Sequence, residues 1–405
     1  VSDLRAGFVG SVDPTAPAYT SGDGGDTGSS GSWVALENGL PSNVDITKLD
    51  VHNTEVYALF VDESDSSTRL RAMKHAGAET DSWSTVGEYL SVGAVISDYG
   101  YLHSDGSDLW TVYADTEEVE QTENSARIVV KQLVGSSWSA VGSANGVSVE
   151  DPDTGGAITA WGSHAFLTTA NSQPLLVYTT SSFMLIDSLS YPGDGDYWAE
   201  VDSAFWYDPN TASTEWISGE TIGVGTDSSG RPIASVEGGR IFSLYRYDGS
   251  SWSELSSQDE SSSAWVFTFD FLVDDSSDDV YIAYATNDTA GGQSFAGVRR
   301  YNGSSWTDTD LVSQLGAAVF INDISLARRA SGNGFVAAVA YRNSSIEFFL
   351  ETWEYDGSAW SQIGPAINLA ASGDALSLVL DSGGRPIIAY REGSDRAVQI
   401  NGYRE

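Results

Sequence analysis

Cysteine is absent from this chain of 405 residues, so disulfides, thiolate metal sites and a cysteine nucleophile are excluded. Basic residues are scarce: 19 Lys and Arg stand against 57 Asp and Glu, a formal net charge of −38. A surface this negative repels phosphate backbones and anionic lipid headgroups, so we expect no nucleic-acid partner. No apolar run approaches the roughly 18 residues that a membrane span needs, so we expect no membrane insertion.

Lysine is the rarest charged residue, since only Lys48, Lys74 and Lys131 occur. This Lys-poor, Asp-rich balance is similar to that of proteins from salty environments, although an ordinary acidic exported bacterial protein would share it. The chain begins at Val1 and shows no signal peptide. A secreted protein whose signal peptide has been removed would begin in this way. We therefore expect an extracellular or cell-surface location.

One phrase recurs along the chain and gives the strongest signal of organisation. It reads Tyr247-Asp-Gly-Ser-Ser-Trp252, Tyr301-Asn-Gly-Ser-Ser-Trp306 and Tyr355-Asp-Gly-Ser-Ala-Trp360, with weaker copies elsewhere. The seven Trp of these copies are separated by 50, 55, 60, 54, 54 and 54 residues; they are Trp33, Trp83, Trp138, Trp198, Trp252, Trp306 and Trp360. Near-equal intervals of this length indicate an array of structural repeats.

Each interval predicts four short antiparallel strands separated by turns. In the last one, Leu376–Leu380 and Pro386–Tyr390 flank the turn Asp381–Arg385, and Ala397–Tyr403 forms a third strand. The fourth strand carries the Trp after an Asp-Gly or Asn-Gly turn, which favours hairpins. Without a convincing helical period, this pattern is typical of β-propeller blades.

The two ends of the chain complement each other. The chain finishes with a third strand but no Trp strand, and it begins with a Trp strand that lacks the three before it. We therefore predict an all-β fold, a seven-bladed β-propeller with four antiparallel strands per blade, closed by the N-terminal Trp strand. Residues 29–405 would form the propeller, and residues 1–28 a Gly/Ser/Asp-rich arm that is a flexible leader or docks on a subunit. An open β-solenoid is the alternative.

The repeated phrase, together with Asp-Ser-[Ser/Gly]-Gly-Arg-Pro-Ile between two strands, resembles the degenerate repeats of secreted bacterial β-propellers. These belong broadly with the Asp-box, kelch-like and propeller-lectin proteins. Here Asp-Gly precedes Trp by only three residues, unlike an Asp box, and the double Gly of kelch is missing. The resemblance therefore implies the fold but no set of catalytic or sugar-binding residues.

Binding is expected on the propeller face that carries the longer, irregular loops, namely the second-to-third loops and the interblade connections. The longest such segment is Ala199–Gly223, and Ser256–Val266 is another. Aromatic rings stack on sugars and carboxylates accept hydroxyl hydrogen bonds, so these segments predict a carbohydrate site, unless the rings only pack the loops. The candidate ligand-binding residues are Trp206, Tyr207, Asp208, Glu215, Trp216 and Trp265.

Acidic loops are candidate calcium sites, because Ca²⁺ prefers several oxygen ligands. The candidate metal ligands are Asp274, Asp275, Asp278 and Asp279. Acidic residues are so frequent here that a solvated acidic loop is the competing interpretation. No EF-hand loop is present.

No catalytic motif is recognisable: nucleophile elbow, HExxH, phosphate loop and dinucleotide fingerprint are all missing. For a lyase, the local candidate pairs are His103 with Tyr113 and His164 with Tyr178. The leading hypothesis is an extracellular module that binds a glycan or a partner protein through its loop-rich face. The alternatives are a polysaccharide-acting lyase or glycosidase with one site near the axis, and a self-assembling surface component joined through its N-terminal arm.

Overall fold

The computed structural model describes the following residues: 31–36, 39–40, 44–62, 69–75, 82–91, 95–115, 127–142, 165–170, 173–180, 183–190, 199–205, 222–237, 241–259, 265–274, 276–287, 294–311, 313–315, 318–329, 334–392 and 397–404. Within these ranges the secondary structure is entirely strands and turns. Accordingly, no helix in the described ranges has the length and hydropathy required to cross a membrane.

After the first strand, β1 (Ser32–Ala35), six blades follow, and each is formed by one continuous segment of the chain. The first three blades consist of β2 (Val44–His52), β3 (Glu55–Asp62), β4 (Arg69–His75) and β5 (Trp83–Thr85); β6 (Val95–Ser104), β7 (Leu109–Asp115), β8 (Arg127–Val134) and β9 (Ser137–Ala140); and β10 (Ala165–Ala170), β11 (Gln173–Thr180), β12 (Phe183–Ser190) and β13 (Ala199–Phe205). The next three consist of β14 (Ile222–Thr226), β15 (Pro232–Glu237), β16 (Ile241–Tyr247) and β17 (Trp252–Asp259); β18 (Trp265–Asp274), β19 (Asp279–Asn287), β20 (Ser294–Tyr301) and β21 (Trp306–Asp310); and β22 (Ala318–Arg328), β23 (Phe335–Asn343), β24 (Phe348–Tyr355), β25 (Trp360–Gln362) and β26 (Ile367–Leu369).

The remaining strands are β27 (Gly373–Leu380), β28 (Pro386–Glu392) and β29 (Ala397–Arg404). They form a composite sheet with β1 in the order β1-β29-β28-β27, which we call the closing sheet. β1 runs antiparallel to β29, with Trp33 opposite Tyr403 and Ser32 opposite Arg404. The two half-blades at the ends of the sequence therefore do complete each other.

The prediction of seven blades with four strands each is corrected by the structure. Six blades are built from continuous segments beside the composite closing sheet, and the β22 blade has a fifth strand, because β26 also pairs with β24. β25 is only three residues long and pairs with Trp353–Tyr355 of β24, which leaves the Phe348–Leu350 edge open. The chain turns at Gly364, whose φ is +66°, and β26 satisfies the backbone groups of that edge.

The first strands of neighbouring sheets contact one another around a central axis: β2 with β6, β6 with β10, β10 with β14, β14 with β18, β18 with β22, β22 with β27, and β27 with β2. The apolar cores lie between adjacent sheets. One core joins Phe60 and Trp83 of the β2 blade to Val379 and Ile387 of the closing sheet. Alternate residues of each strand thus pack against different neighbours, as expected for strands buried on both faces.

Two connections are shorter than the sequence predicts. Residues 199–205 form β13 instead of the start of a long loop, and β17 continues to Asp259 before β18 begins at Trp265. In both cases the fourth strand continues its backbone pairing with the third strand past the Trp position. The N-terminal arm, residues 1–28, lies outside the described residues.

Candidate functional site

The repeated Tyr-[Asp/Asn]-Gly phrase forms tight turns between the third and fourth strands. Asp248 Oδ1 accepts hydrogen bonds from the Ser250 and Ser251 amides at 2.8 and 2.9 Å, and these bonds lower the pKa of the carboxyl group. Gly249 follows with a φ of +101°, a conformation that favours glycine. The rings of Tyr247 and Trp252 then meet with centroids 5.4 Å apart. The repeated aromatic residues are therefore part of the scaffold.

The Trp residues of the outer strands also join neighbouring blades. Trp83 Nε1 donates to the Leu36 carbonyl at 2.6 Å, and Trp138 Nε1 donates to the Val86 carbonyl at 3.1 Å. In each case the acceptor follows the outer strand of the preceding blade. Two further bonds of this kind run from Trp33 Nε1 to the Pro365 carbonyl at 3.0 Å and from Trp306 Nε1 to Ser256 Oγ at 2.9 Å.

A second set of cross-blade hydrogen bonds lies at the axis, where polar side chains of one inner strand bind the backbone of the next. Asp50 Oδ2 accepts from the Ser104 amide at 2.9 Å, and Asp323 Oδ2 accepts from the Leu376 amide at 2.9 Å. Ser377 Oγ accepts from the Leu49 amide at 2.9 Å, which joins the closing sheet to the first blade. The ring is thus held at both its axis and its rim.

Lys48 is the central residue of a buried polar cluster at the axis, being only 2% exposed. Its Nζ lies 5.5 Å from the centroid of the Tyr101 ring. Burial lowers the pKa of Lys48, while the carboxylates of Asp270 and Asp50 oppose that shift. Because β2, β6 and β18 are different inner strands, this cluster links separate parts of the ring across the axis.

Asp270 is the buried acid that faces Lys48 from another blade. Its Oδ2 accepts hydrogen bonds from Ser325 Oγ at 2.9 Å and from the Leu326 amide at 2.7 Å, while Oδ1 accepts from the Phe271 amide at 2.8 Å. Burial raises the pKa of Asp270, and Lys48 and these donors oppose the rise. The three donors and the positive charge of Lys48 favour the ionised carboxylate, whereas burial favours the neutral acid and sets the net direction.

His103 and Tyr101 complete the axial cluster. Burial lowers the pKa of His103 to about 4, and the Nε2 atom of the ring has no hydrogen-bond partner among the described residues. Burial also raises the pKa of Tyr101 well above its usual value. A neutral imidazole, a phenol and an amine with a lowered pKa are groups that can exchange protons, but all three are at least nine-tenths buried.

The alternation of polar and apolar residues in β2 is a sequence signal for this cluster, although it matches no catalytic motif. Lys48, Asp50 and His52 alternate with Leu49 and Val51, so a buried inner strand carries a polar face. Of the His–Tyr pairs predicted from proximity in sequence, His103 and Tyr113 are not brought together: their ladder partners are Trp110 and Gly100, at different heights of the hairpin. His164 lies outside the described residues.

The turns between first and second strands are joined to one another around part of the ring. The Ser228 amide donates to Asp278 Oδ1 at 2.7 Å, and Arg328 pairs with Asp274 at 2.6 Å. Arg329 Nη1 donates to the Gly384 carbonyl. This face of the propeller is consequently a connected, regular surface.

The predicted calcium ligands are engaged by protein groups. Asp274 is bound by Arg328 and by the Ser276 amide, and Asp279 pairs with Arg300 at 2.5 Å. Burial would raise the pKa of Asp274, but the hydrogen bonds from Ser276 outweigh it, so the pKa is lowered. Asp275 lies outside the described residues, and no group of three or more potential metal ligands occurs among those described.

The predicted ligand-binding residues fall mostly beyond the described parts of the chain. Trp206, Tyr207, Asp208, Glu215 and Trp216 lie outside the described residues. Trp265 is the first residue of β18, where its backbone is opposite Asn287. The prediction of a carbohydrate site at these residues therefore stays a prediction.

The architecture can now be compared with known proteins. No protein-family model matches this chain, and no curated protein matches it. Solved structures do. The chain folds as a β-propeller.

Three of these structures show the range of the similarity. YCF48 from Cyanidioschyzon merolae is 13% identical with a TM-score of 0.51, covering 91% of this chain and 98% of that one. An oligogalacturonate lyase from Vibrio parahaemolyticus is 9% identical with a TM-score of 0.52, covering 92% and 93%. The six-bladed fucose-binding lectin from Aleuria aurantia is 14% identical with a TM-score of 0.45, covering 80% and 96%. At such identities the likeness shows the fold alone.

Proposed function

We propose that this protein is an extracellular recognition module that binds a glycan or a partner protein through its loop-rich face. The observation that carries the proposal is the burial of the axial cluster: Lys48, Tyr101 and His103 are 2%, 3% and 8% exposed. The side chains best suited to chemistry are thus closed off from solvent. The repeated aromatic residues serve the scaffold, so ligand binding is left to the irregular connections.

A glycan is the ligand class that the aromatic and acidic residues of segment 206–216 suit best. Trp206 and Trp216 would stack on sugar rings, while Asp208 and Glu215 would accept hydroxyl hydrogen bonds. A single site of this kind agrees with the degeneracy of the repeats, since one equivalent site in every blade would repeat its ligand residues.

The test is a glycan-array screen of the whole protein, with and without Ca²⁺, followed by the variants Trp206→Ala and Trp216→Ala. We expect binding that either substitution weakens at least about fivefold, because an aromatic stacking contact contributes on the order of 1 kcal/mol or more. Val134→Ala is the matched control, since Val134 is 56% exposed in a regular turn. Absence of binding to every glycan on the array would overturn glycan recognition.

The calcium arm of that screen addresses the loop of Asp274, Asp278 and Asp279. A metal ion there would have to compete with Arg328 and Arg300, which already neutralise two of these carboxylates. If Ca²⁺ enhances binding and Asp278→Asn abolishes the enhancement, the ion is a cofactor at this loop.

A polysaccharide-acting enzyme is the second candidate: the chemistry of the axial cluster favours it, whereas the burial of that cluster opposes it. A buried amine whose pKa is lowered, next to a neutral imidazole, is an arrangement that can act as a general base once substrate reaches it. The test measures new reducing ends and unsaturated products from a polysaccharide panel. Turnover that His103→Gln removes would establish the enzyme, whereas no turnover on any substrate would exclude this candidate for the panel used.

A further inference from the structure

The blade formed by β22–β26 departs from the others at its loop-rich end. β22 has eleven residues, and its pairing with β23 shifts register twice, between Ala318 and Phe320 and between Ile321 and Asp323. β26 adds its extra strand at the same end, opposite Phe348–Leu350. Register shifts of this kind re-aim side chains and are frequent beside functional sites.

A row of three side chains crosses this end of the blade. Phe320 of β22 is opposite Arg342 of β23, which in turn is opposite Phe348 of β24, so the three share one face of the sheet. The guanidinium carbon of Arg342 lies 5.2 Å from the centroid of the Phe320 ring. All three side chains are half-buried, and Leu369 of β26 continues the row. We call Phe320, Arg342 and Phe348 the Phe–Arg–Phe row.

Arg342 differs from most arginines of the chain in its electrostatic environment. Eight described arginines form ion pairs with carboxylates: Arg71, Arg231, Arg299, Arg300, Arg328, Arg329, Arg385 and Arg391. Among the described residues, no carboxylate lies within ion-pair distance of Arg342. Glu347, on the turn that follows, instead accepts a hydrogen bond from Asn343 Nδ2 at 2.7 Å. Arg342 shares this lack of an ion pair with Arg246, but it differs from Arg246 in its contact with the Phe320 ring.

The turn beside this row carries a second unusual feature. Ile346 is 67% exposed and has a φ of +63°, a left-handed conformation that is unfavourable for a β-branched residue. Asn343 holds the turn, because its Oδ1 accepts from the Ser345 and Glu347 amides at 2.9 and 3.0 Å. An exposed apolar side chain is thus fixed, at a cost in backbone strain, next to a cation between two rings.

We propose that the Phe–Arg–Phe row is a subsite for an acidic sugar, a uronate whose carboxylate is bound by Arg342. The guanidinium would bind the carboxylate through two parallel hydrogen bonds, and the half-buried faces of Phe320 and Phe348 would contact the C–H faces of the ring. Charge complementarity selects this ligand class, since a neutral sugar would leave the cation uncompensated. The subsite rests on the proposed glycan-binding function and names its substrate class.

The test titrates the whole protein with trigalacturonate, with its methyl ester and with galactose 6-sulfate in a calorimeter. Methyl esterification removes the charge and keeps the ring shape, so we expect the ester to bind at least about tenfold more weakly than the acid. Binding of galactose 6-sulfate, but not of trigalacturonate, would show that the subsite binds sulfated sugars and would overturn the uronate assignment.

Three variants test the residues. Arg342→Gln should abolish the difference between acid and ester, and Phe348→Leu should weaken both ligands equally. Arg246→Gln is the matched control, because Arg246 is also half-buried on a strand and forms no ion pair among the described residues. Unchanged melting temperatures would show that the variants fold.

The two proposals fail in different ways. If the array shows binding of neutral glycans only, the recognition function stands and the uronate subsite is wrong. If wild type and Arg342→Gln bind trigalacturonate alike, the subsite is wrong even though acidic glycans bind. If no saccharide binds at all, the glycan function and the subsite both fall.

Discussion

At the scale of single residues, Lys48 shows how much one buried charge matters. We predict that Lys48→Met lowers the free energy of unfolding by about 3 kcal/mol at pH 7.5, because it leaves the buried carboxylates of Asp270 and Asp50 without a cation. Burial already raises the pKa of Asp270, and losing Lys48 raises it further. A buried acid whose pKa is raised in the folded state makes the protein less stable as the pH rises. At pH 5 Asp270 is protonated, so the decrease in unfolding free energy caused by Lys48→Met should be smaller than at pH 7.5.

Denaturant unfolding at the two pH values measures this effect. Lys74→Met is the control, since the Lys74–Glu55 pair is 36% exposed on both sides and should contribute less than about 1 kcal/mol. Equal losses for the two variants, or a loss at position 48 that does not depend on pH, would contradict an electrostatic stabilisation of Asp270 by Lys48.

His103 provides a prediction at acid pH. Burial lowers its pKa to about 4 in the folded state, against a usual value of 6.5. As the pH falls, His103 is therefore protonated in the unfolded chain before it is protonated in the folded protein. Its contribution to the free energy of unfolding is complete above pH 6.5 and is lost as the pH falls towards 4. The full contribution is about 3 kcal/mol. We expect the melting temperature of His103→Gln to fall less than that of the wild type between pH 7 and pH 4.5. If the two melting temperatures fall in parallel, His103 does not titrate in this range.

At the scale of strands, closure depends on a short segment. β1 pairs with β29 through only four residues, yet Leu36 just after it is 2% exposed and Trp33 donates to Pro365. Glycines fit this junction closely: a Cβ on Gly402 would lie 2.8 Å from Leu36 Cδ1. The strand is therefore held by side-chain packing more than by its ladder.

We predict that deleting residues 1–37 lowers the melting temperature and causes self-association, because β29 becomes an exposed edge. Deleting residues 1–27 removes none of the repeat and should leave the melting temperature unchanged. Calorimetry and sedimentation velocity compare the two truncations. A monomeric long truncation that melts like the full chain would show that β1 does not stabilise the ring.

Strands were predicted correctly where the turns between them contain residues that hydrogen-bond within the turn, and they were missed where the turns lack such residues. Asp381 and Arg385 hydrogen-bond across their turn, with Arg385 Nε donating to Asp381 Oδ2 at 2.8 Å. The strands on either side of this turn were therefore recognisable. β13 mixes polar and apolar residues, the end of β17 is polar, and β26 pairs with β24 beyond the short β25. Their pairing depends on neighbours that no local pattern encodes.

The candidate sites were harder to predict than the fold. Lys48 and Asp270 are 222 positions apart in sequence, and only the ring brings their strands towards one axis. The Phe–Arg–Phe row likewise unites three strands through register shifts that composition does not reveal. Loop composition led instead to residues 206–216, where the prediction remains to be tested.

At the scale of the whole molecule, charge dominates. A net charge of −38 on one chain opposes compaction through like-charge repulsion. Mobile ions screen that repulsion, since the Debye length falls from about 10 Å at 0.1 M to about 3 Å at 1 M salt. We predict that the melting temperature rises as NaCl increases over this range. A flat or falling curve would show that self-repulsion does not limit stability.

The closing sheet also determines how the molecule responds to tension. Ser32 of β1 lies opposite Arg404 of β29 in an antiparallel pair, so both ends leave the sheet at the same side. A force applied at these two points loads the hydrogen bonds one pair after another, as in opening a zipper, instead of shearing all four pairs together. Mechanical pulling would therefore open the ring at this sheet first, at low force, with the six continuous blades still folded.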